Sequence, residues 1–322
     1  MDLSIVIPAY NEEESLDELL KRVTAAVEPL DKSYEIIVVD DGSTDGTFKR
    51  LQELRKQYAA LRIISFRRNY GKSPALAKGF EAARGEVVIT MDADLQDDPH
   101  EIPNLLNKLD EGYDLVSGWK KKRRDPLSKT IPSRIFNRVT SWLTGIKIHD
   151  FNCGLKAYRR EVVKAIQVYG ELHRFLPVMA HWQGFRVGEV VVKHHPRRYG
   201  KSKFGVKRLV TGAFDLITVL FLTRFRASPL HVFGSIGLVT FLTGFAIEVY
   251  LTALKFFYHQ GIGRRPLFFL GILLLIVGVQ FVGFGLVAEM ISAQMAEKAH
   301  YAIKAEIPRS ETVPEDGRDA GK

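Results

Sequence analysis

Val88-Ile89-Thr90-Met91-Asp92-Ala93-Asp94-Leu95-Gln96-Asp97-Asp98-Pro99 is the stretch from which the fold can be read. A run of β-branched and apolar residues stops at two carboxylates one residue apart. Alternate side chains of an extended segment point the same way, so Asp92 and Asp94 can share one ligand. Oxygen donors at the end of a buried strand suit a hard cation, Mg²⁺ or Mn²⁺, bridging to a diphosphate. The competing reading is an acidic turn ahead of a helix that starts at Pro99.

Outward from this stretch, the first half of the chain alternates strands and helices. Short apolar runs at residues 3–8, 34–40, 61–66, 86–91 and 113–118 read as strands. Residues 13–27, 44–58, 74–84 and 99–111 between them carry helical periodicity. Continuous apolar strands separated by amphipathic helices predict an α/β fold with a mainly parallel sheet covered on both faces. Ligands of such sheets sit at the carboxyl ends of the strands. Polar clusters fall there: Pro8-Ala9-Tyr10-Asn11-Glu12, Asp40-Asp41-Gly42-Ser43-Thr44-Asp45, Arg67-Arg68-Asn69-Tyr70-Gly71 and the Asp92-x-Asp94 segment. Each cluster also reads locally as a turn or a helix cap. Four on one edge point to a site.

The chain has 322 residues and a formal charge of +9, which fits anionic substrates, a membrane surface or nucleic acid. No aromatic-basic interleaving or nucleic-acid fold signature supports the last of these. Cys153 is the single cysteine, so no intramolecular disulfide forms and a cysteine-based metal site is excluded. It reads as a small buried side chain. The first residues read as a core strand rather than a signal peptide, so the first two-thirds are expected to be cytosolic.

The three clusters Pro8-Ala9-Tyr10-Asn11-Glu12, Asp40-Asp41-Gly42-Ser43-x-Asp45 and Asp92-Ala93-Asp94-Leu95-Gln96 resemble the family 2 glycosyltransferases of GT-A fold. The chain is more closely similar to the polyprenyl-phosphate glycosyltransferases, such as dolichol-phosphate mannose synthase and the bactoprenol glucosyl and aminoarabinosyl transferases. The resemblance extends by motif to residue 225 and beyond that by architecture. It implies that Pro8, Tyr10, Glu12, Asp40, Asp41 and Asp92 line the nucleotide site, with Asp40 on the base. It implies that Asp92, Asp94 and Gln96 hold Mg²⁺ or Mn²⁺ on the diphosphate. It places Asp150, in His149-Asp150-Phe151-Asn152-Cys153-Gly154, near the reacting centre, and Asp94, Asp150 and Arg123 are the expected catalytic residues. The acceptor it implies is a lipid phosphate, already ionised at neutral pH because its second pKa is about 6. Asp150 is therefore expected to position the acceptor rather than to act as a strong base.

Two basic segments follow strands on the same edge. Lys120-Lys121-Lys122-Arg123-Arg124 follows the fifth strand, and Arg123 is the favoured phosphate contact in it; the alternative is a solvated loop. Residues 189–195 read as a strand leading into His194-His195-Pro196-Arg197-Arg198-Tyr199-Gly200-Lys201-Ser202-Lys203. Arg197, Arg198, Lys201 and Lys203 suit lipid-phosphate oxygens or anionic headgroups. Adjacent histidines on a strand point to opposite faces, so His194 and His195 are not expected to share a metal. Residues 127–144 read as an amphipathic helix carrying Ile131, Ile135, Phe136, Val139, Trp142 and Leu143.

The expected organisation is a cytosolic catalytic domain over 1–203 and an interfacial helix over 204–228. Two transmembrane helices over 229–292 and a tail over 293–322, disordered at its end, complete it. The connector between the spans is short, so they form an antiparallel hairpin with both ends on the cytosolic, positively charged side. Their glycines permit close helix contact and so a homo-oligomer. The expected reaction is an inverting transfer of one hexose from a nucleotide sugar, UDP-glucose first and GDP-mannose next, to polyprenyl phosphate at the membrane. Two alternatives are a processive polysaccharide synthase and an inactive nucleotide-sugar-binding scaffold. The first is disfavoured because the chain has no Gln-x-x-Arg-Trp motif and too few spans.

Overall fold

A computed structural model of the chain describes residues 1–121, 127–166, 168, 170, 172–196, 214, 216, 218, 228–259, 261, 263 and 265–296. The strands are β1 (Leu3–Ala9), β2 (Tyr34–Asp40), β3 (Leu61–Ser65), β4 (Val87–Thr90), β5 (Leu115–Trp119), β6 (Lys156–Arg159) and β7 (Val187–Val191). They form one sheet in the order β3-β2-β1-β4-β6-β5-β7. β1, β2, β3 and β4 are mutually parallel, and β5 is parallel to β7. β6 is antiparallel to both neighbours, with Thr90 opposite Lys156 and Ser117 opposite the same lysine. The sheet is thus mostly parallel, as the alternation predicts, with one reversed strand.

The alternation of side chains sorts the core. Ile5, Ile7, Ile36 and Val38 face α1 (Leu16–Val27), α2 (Thr47–Leu54) and α4 (Ile102–Asp110). Val6, Ile37, Val39 and Val88 face α3 (Lys72–Ala82), α6 (Arg160–Ala165) and α7 (Leu176–Trp182). Each fully buried Ile, Leu or Val contributes about 1.5–3 kcal/mol against an exposed one, so the strands have no choice of face. A third, smaller cluster joins Ile146, Ile148, Phe151, Phe175 and Val178 beside α5 (Leu127–Thr144).

The last expected strand is corrected. It runs over Val187–Val191, not to residue 195. His194 instead makes an isolated antiparallel bridge to Asp97. The two histidines do diverge: His194 is buried, whereas His195 is partly exposed and reaches Asp98.

Two long helices, Pro229–Tyr258 and Pro266–Ala296, pack against each other. Each holds a stretch long and apolar enough to cross a bilayer. A Cβ at Gly278 would lie 2.7 Å from Phe241 Cβ, and one at Gly244 would lie 2.8 Å from Gly271 O. These glycines therefore serve the contact within the hairpin. Glu248 is packed against Gly271, where an added Cβ would meet its carboxylate. In the expected interfacial segment only Phe214, Leu216, Thr218 and Ser228 are described; the first three are helical, and Leu216 is buried in the third cluster. The tail beyond residue 296 lies outside the described residues.

Candidate active site

The carboxyl ends of β1, β2, β3, β4, β5 and β7 share one edge of the sheet. Because β6 runs the other way, the loop that precedes it, residues 149–155, arrives at this edge too. The reversal brings Asp150 to a site whose other members follow parallel strands.

Hydrogen bonds interlock the loops after β1 and β2. Asn11, in the left-handed region at φ 57°, receives a bond from Thr44 N at 2.8 Å and donates its own N–H to Ser43 Oγ at 3.0 Å. Glu12 N donates to Thr47 Oγ1 at 2.9 Å. Pro8, Tyr10 and Glu12 are half-buried along this rim. Asp40 is buried and accepts from Ser43 N at 3.0 Å and Ser65 Oγ at 2.7 Å. Asp41 accepts from Tyr70 N and Gly71 N, both at 2.8 Å, and from Asn69 Nδ2 at 3.0 Å. Both carboxylates thus fasten the surrounding loops. Gly42, at φ 65°, is required there, since a Cβ would lie 2.2 Å from Arg68 C.

Burial alternates beyond the end of β4: Asp92, Asp94 and Gln96 are half-buried, while Ala93, Leu95 and Asp97 are buried. The backbone is no longer a strand: Leu95 sits at φ 59°, and Gln96 N donates to Asp94 Oδ1 at 3.2 Å. Among the described residues no group of three or more His, Cys, Asp or Glu could hold a metal ion. The donor set still fits Mg²⁺ or Mn²⁺, because such ions take one or two carboxylates and complete their shell with phosphate oxygens and water. Gly154 forms a cradle under the first carboxylate: a Cβ there would lie 2.6 Å from Asp92 Cγ.

Three lysines surround Asp92. Lys72, at the start of α3, pairs directly with Asp92 Oδ1, and both side chains are about one-third exposed. Burial pushes the Asp92 carboxyl up, but Lys72, with Lys120 and Lys156 behind it, holds it at about 2. Lys156 rises from the middle of the sheet, is buried, and donates to Cys153 O. Burial moves its ammonium below the usual lysine range, with Cys153, Asp150 and Asp92 opposing. Lys120 pairs with the buried Asp97 at 2.7 Å. Burial lowers Lys120, but Asp97 and its neighbours outweigh this and carry it well above the ordinary lysine value. Burial pushes the Cys153 thiol up to about 12, so it is inert, as a structural cysteine should be.

Asp150 is buried, accepts from Asn152 N at 3.1 Å, and receives Ser117 Oγ on its carbonyl at 3.3 Å. Next to it, His149 stacks on Trp119 with ring centroids 4.1 Å apart and pairs with Glu189. Arg123, Arg197, Arg198, Lys201 and Lys203 lie outside the described residues. Lys72, Lys156 and Asp97 were missed in the sequence reading. A signal existed for one of them: a lysine inside the apolar strand run Leu155-Lys156-Ala157-Tyr158 has to face something polar.

The glycosyl transferase family 2 model matches residues 4–167. The dodecaprenyl-phosphate galacturonate synthase of Rhizobium johnstonii is 40% identical over 91% of this chain and 88% of its own length. The undecaprenyl-phosphate 4-deoxy-4-formamido-L-arabinose transferase of Edwardsiella ictaluri is 40% identical over 90% and 88%. The crystal structure of glucosyl-3-phosphoglycerate synthase from Mycobacterium tuberculosis with Mn²⁺, UDP and phosphoglyceric acid superposes with a TM-score of 0.54. It is 21% identical and covers 69% of this chain and 78% of that one, a likeness of fold. The Mg²⁺ and UDP complex of the same enzyme gives 0.52 at 20% identity, over 69% and 79%. The sheet and its helices are therefore GT-A-like, and the chain belongs to glycosyl transferase family 2, grouped with these two polyprenyl-phosphate sugar transferases.

Proposed function

We propose that the protein transfers one sugar, with inversion, from a nucleotide sugar to polyprenyl phosphate at the cytosolic face of a membrane. The observation that carries this reading is the meeting of Asp92-x-Asp94, three lysines and Asp150 on one sheet edge. In the reaction an acceptor phosphate oxygen bonds to the anomeric carbon as the bond to the nucleoside diphosphate breaks, and the diphosphate leaves with the electron pair.

Each group has a part. Asp92, Asp94 and Gln96 would hold a divalent cation, whose positive charge would offset the charge that grows on the leaving diphosphate. Pro8, Tyr10 and Glu12 line the nucleotide pocket, with Asp40 toward the base and Asp41 holding the wall. Lys72 sets the charge of Asp92. Asp150 positions the acceptor, whose phosphate is ionised and needs no strong base. Arg123, Arg197, Arg198, Lys201 and Lys203 hold its phosphate. The hairpin spans the bilayer with both ends in the cytosol, the catalytic domain occupies 1–203, and residues 204–228 lie at the interface. The outward face of α5 supports this placement: Ile135, Val139 and Trp142 are exposed, flanked by exposed Arg134 and Arg138.

The relatives' names carry galacturonate and 4-deoxy-4-formamido-L-arabinose, neither of them glucose or mannose. Nucleotide donors of those two sugars therefore come first in the test, ahead of UDP-glucose and GDP-mannose. Purified protein in detergent receives undecaprenyl phosphate, Mg²⁺ or Mn²⁺, and one donor at a time, and the lipid fraction is weighed by mass spectrometry. One glycolipid from one donor is expected, lost in Asp92→Ala. A wild type that makes no glycolipid from any donor yet binds UDP would instead support the scaffold. Turnover unaltered in Asp92→Ala would sink the metal assignment.

A further inference from the structure

The Asp92-x-Asp94 loop touches two other loops through the acidic pair that follows it. Asp97 is fully buried, and its carboxylate meets Lys120 Nζ at 2.7 Å. Its backbone bridges to His194, and His195 N donates to Gln96 O at 2.9 Å. Asp98 meets His195 Nε2 at 3.1 Å. Val192 N donates to Trp119 O at 3.0 Å, which closes the third side between the loops after β5 and β7.

A buried carboxylate–ammonium pair is weak evidence for stability, since desolvation cancels much of its attraction. What such a pair does supply is a fixed register between the segments that carry it. Lys120 opens the basic run after β5, and His195 is the last residue but one before the basic run after β7. Gln96 and Asp97 close the metal-side loop. The three segments thus meet at Gln96-Asp97-Asp98: the Asp97 carboxylate holds Lys120, while its backbone, Gln96 O and the Asp98 carboxylate hold His194 and His195.

We infer that Asp97 is a positioning residue: through its carboxylate it fixes Lys120, just after β5 on the acceptor side, against the donor-side metal loop. This rests on the proposed reading of those loops as acceptor and donor elements. Removing the carboxylate frees Lys120 from the metal-side loop, with Asp40 and Asp41 left in place on the nucleotide side.

The test is a double-mutant cycle on the full-length protein in detergent with Asp97→Asn, Lys120→Met and both together. Each single variant is expected to raise KM for undecaprenyl phosphate about tenfold, with a smaller fall in kcat. The affinity for UDP with Mn²⁺ should stay within about twofold of wild type in Asp97→Asn. The double variant should be no worse than the poorer single one, because the pair acts as a unit. Independent effects that multiply, or an acceptor KM that does not move while UDP affinity falls, would overturn the inference. If the wild type has no turnover, the functional reading fails by itself. The same cycle read on Tm then decides the pair: non-additive shifts keep the Asp97–Lys120 linkage, and additive shifts remove it.

Discussion

Helices α1 and α5 carry the same kind of sequence pattern and face opposite surroundings. In α1 the apolar stripe turns inward: Leu16, Leu19, Leu20, Val23 and Val27 are all fully buried against the sheet. In α5 much of the stripe turns outward, with Ile135 61% and Trp142 80% exposed. Its inward face is instead polar, with Thr130, Asn137, Thr140 and Thr144 buried. Two of those groups are bonded locally: Asn137 Nδ2 donates to His149 O at 2.9 Å and Thr144 Oγ1 to Thr140 O at 2.6 Å. Among the described side chains of the stripe, Phe136 and Leu143 pack on the third cluster. The comparison teaches that periodicity finds a stripe without saying what covers it. A helix covered by sheet and a helix whose apolar side is left exposed carry the same repeat.

The sharpest way to break this contrast is to truncate one residue on each helix. Leu20→Ala should cost about 2–5 kcal/mol, because it leaves a cavity in a packed core. Chemical denaturation in detergent measures it, and a cost below that of a surface change would undo the account of α1. The hairpin gives the next largest effect. Gly278→Leu drives a side chain into Phe241 and should cost about 1–3 kcal/mol, seen as a loss of thermal stability of the hairpin. No loss would mean that the two helices do not pack as described.

The site edge ranks third, through acid. Asp92 is held at about 2 against an ordinary 3.8, so its pairing with Lys72 stabilises above pH 3.8 and fades as pH falls toward 2. Both side chains are one-third exposed, which limits the gain to less than about 1 kcal/mol. Stability curves of wild type and Lys72→Met should therefore converge at the acid end and separate above it. Curves that stay parallel down to pH 2 would refute the pairing. The smallest effect on stability belongs to α5: Trp142→Phe should stay within about 0.5 kcal/mol. Its signature is spectroscopic. Brominated phospholipid should quench the wild-type tryptophan emission more than that of Trp142→Phe, and equal quenching would take α5 away from the bilayer.

Much of the architecture is legible residue by residue. The second strand, Tyr34–Asp40, and α5, Leu127–Thr144, fall where the pattern puts them. Other ends shift by a few residues for local reasons. Asp98 caps a short 3-10 turn at Pro99–Glu101 before α4 begins, and Lys72 enters α3 directly after Gly71 at φ 98°. The candidate site was legible where chemistry follows a parallel strand, as with Asp40, Asp92 and Asp94. It was illegible where a residue acts by burial. Asp97 reads in sequence as one more acid beside Asp98, and only packing separates them.

The amino-acid order determined the alternation of strands and helices, the polar clusters at the strand ends, the oxygen-rich Asp92-x-Asp94-x-Gln96 and two long apolar helices. These are short-range properties, set by side-chain period and by where a hydrophobic run stops. Tertiary structure decided three other things: that β6 enters reversed and delivers Asp150 to the edge, that Lys72 meets Asp92 from twenty residues away, and that α5 turns its apolar side out. Each depends on pairing between segments far apart in the chain, where register and burial are settled only when the sheet and its helices close together.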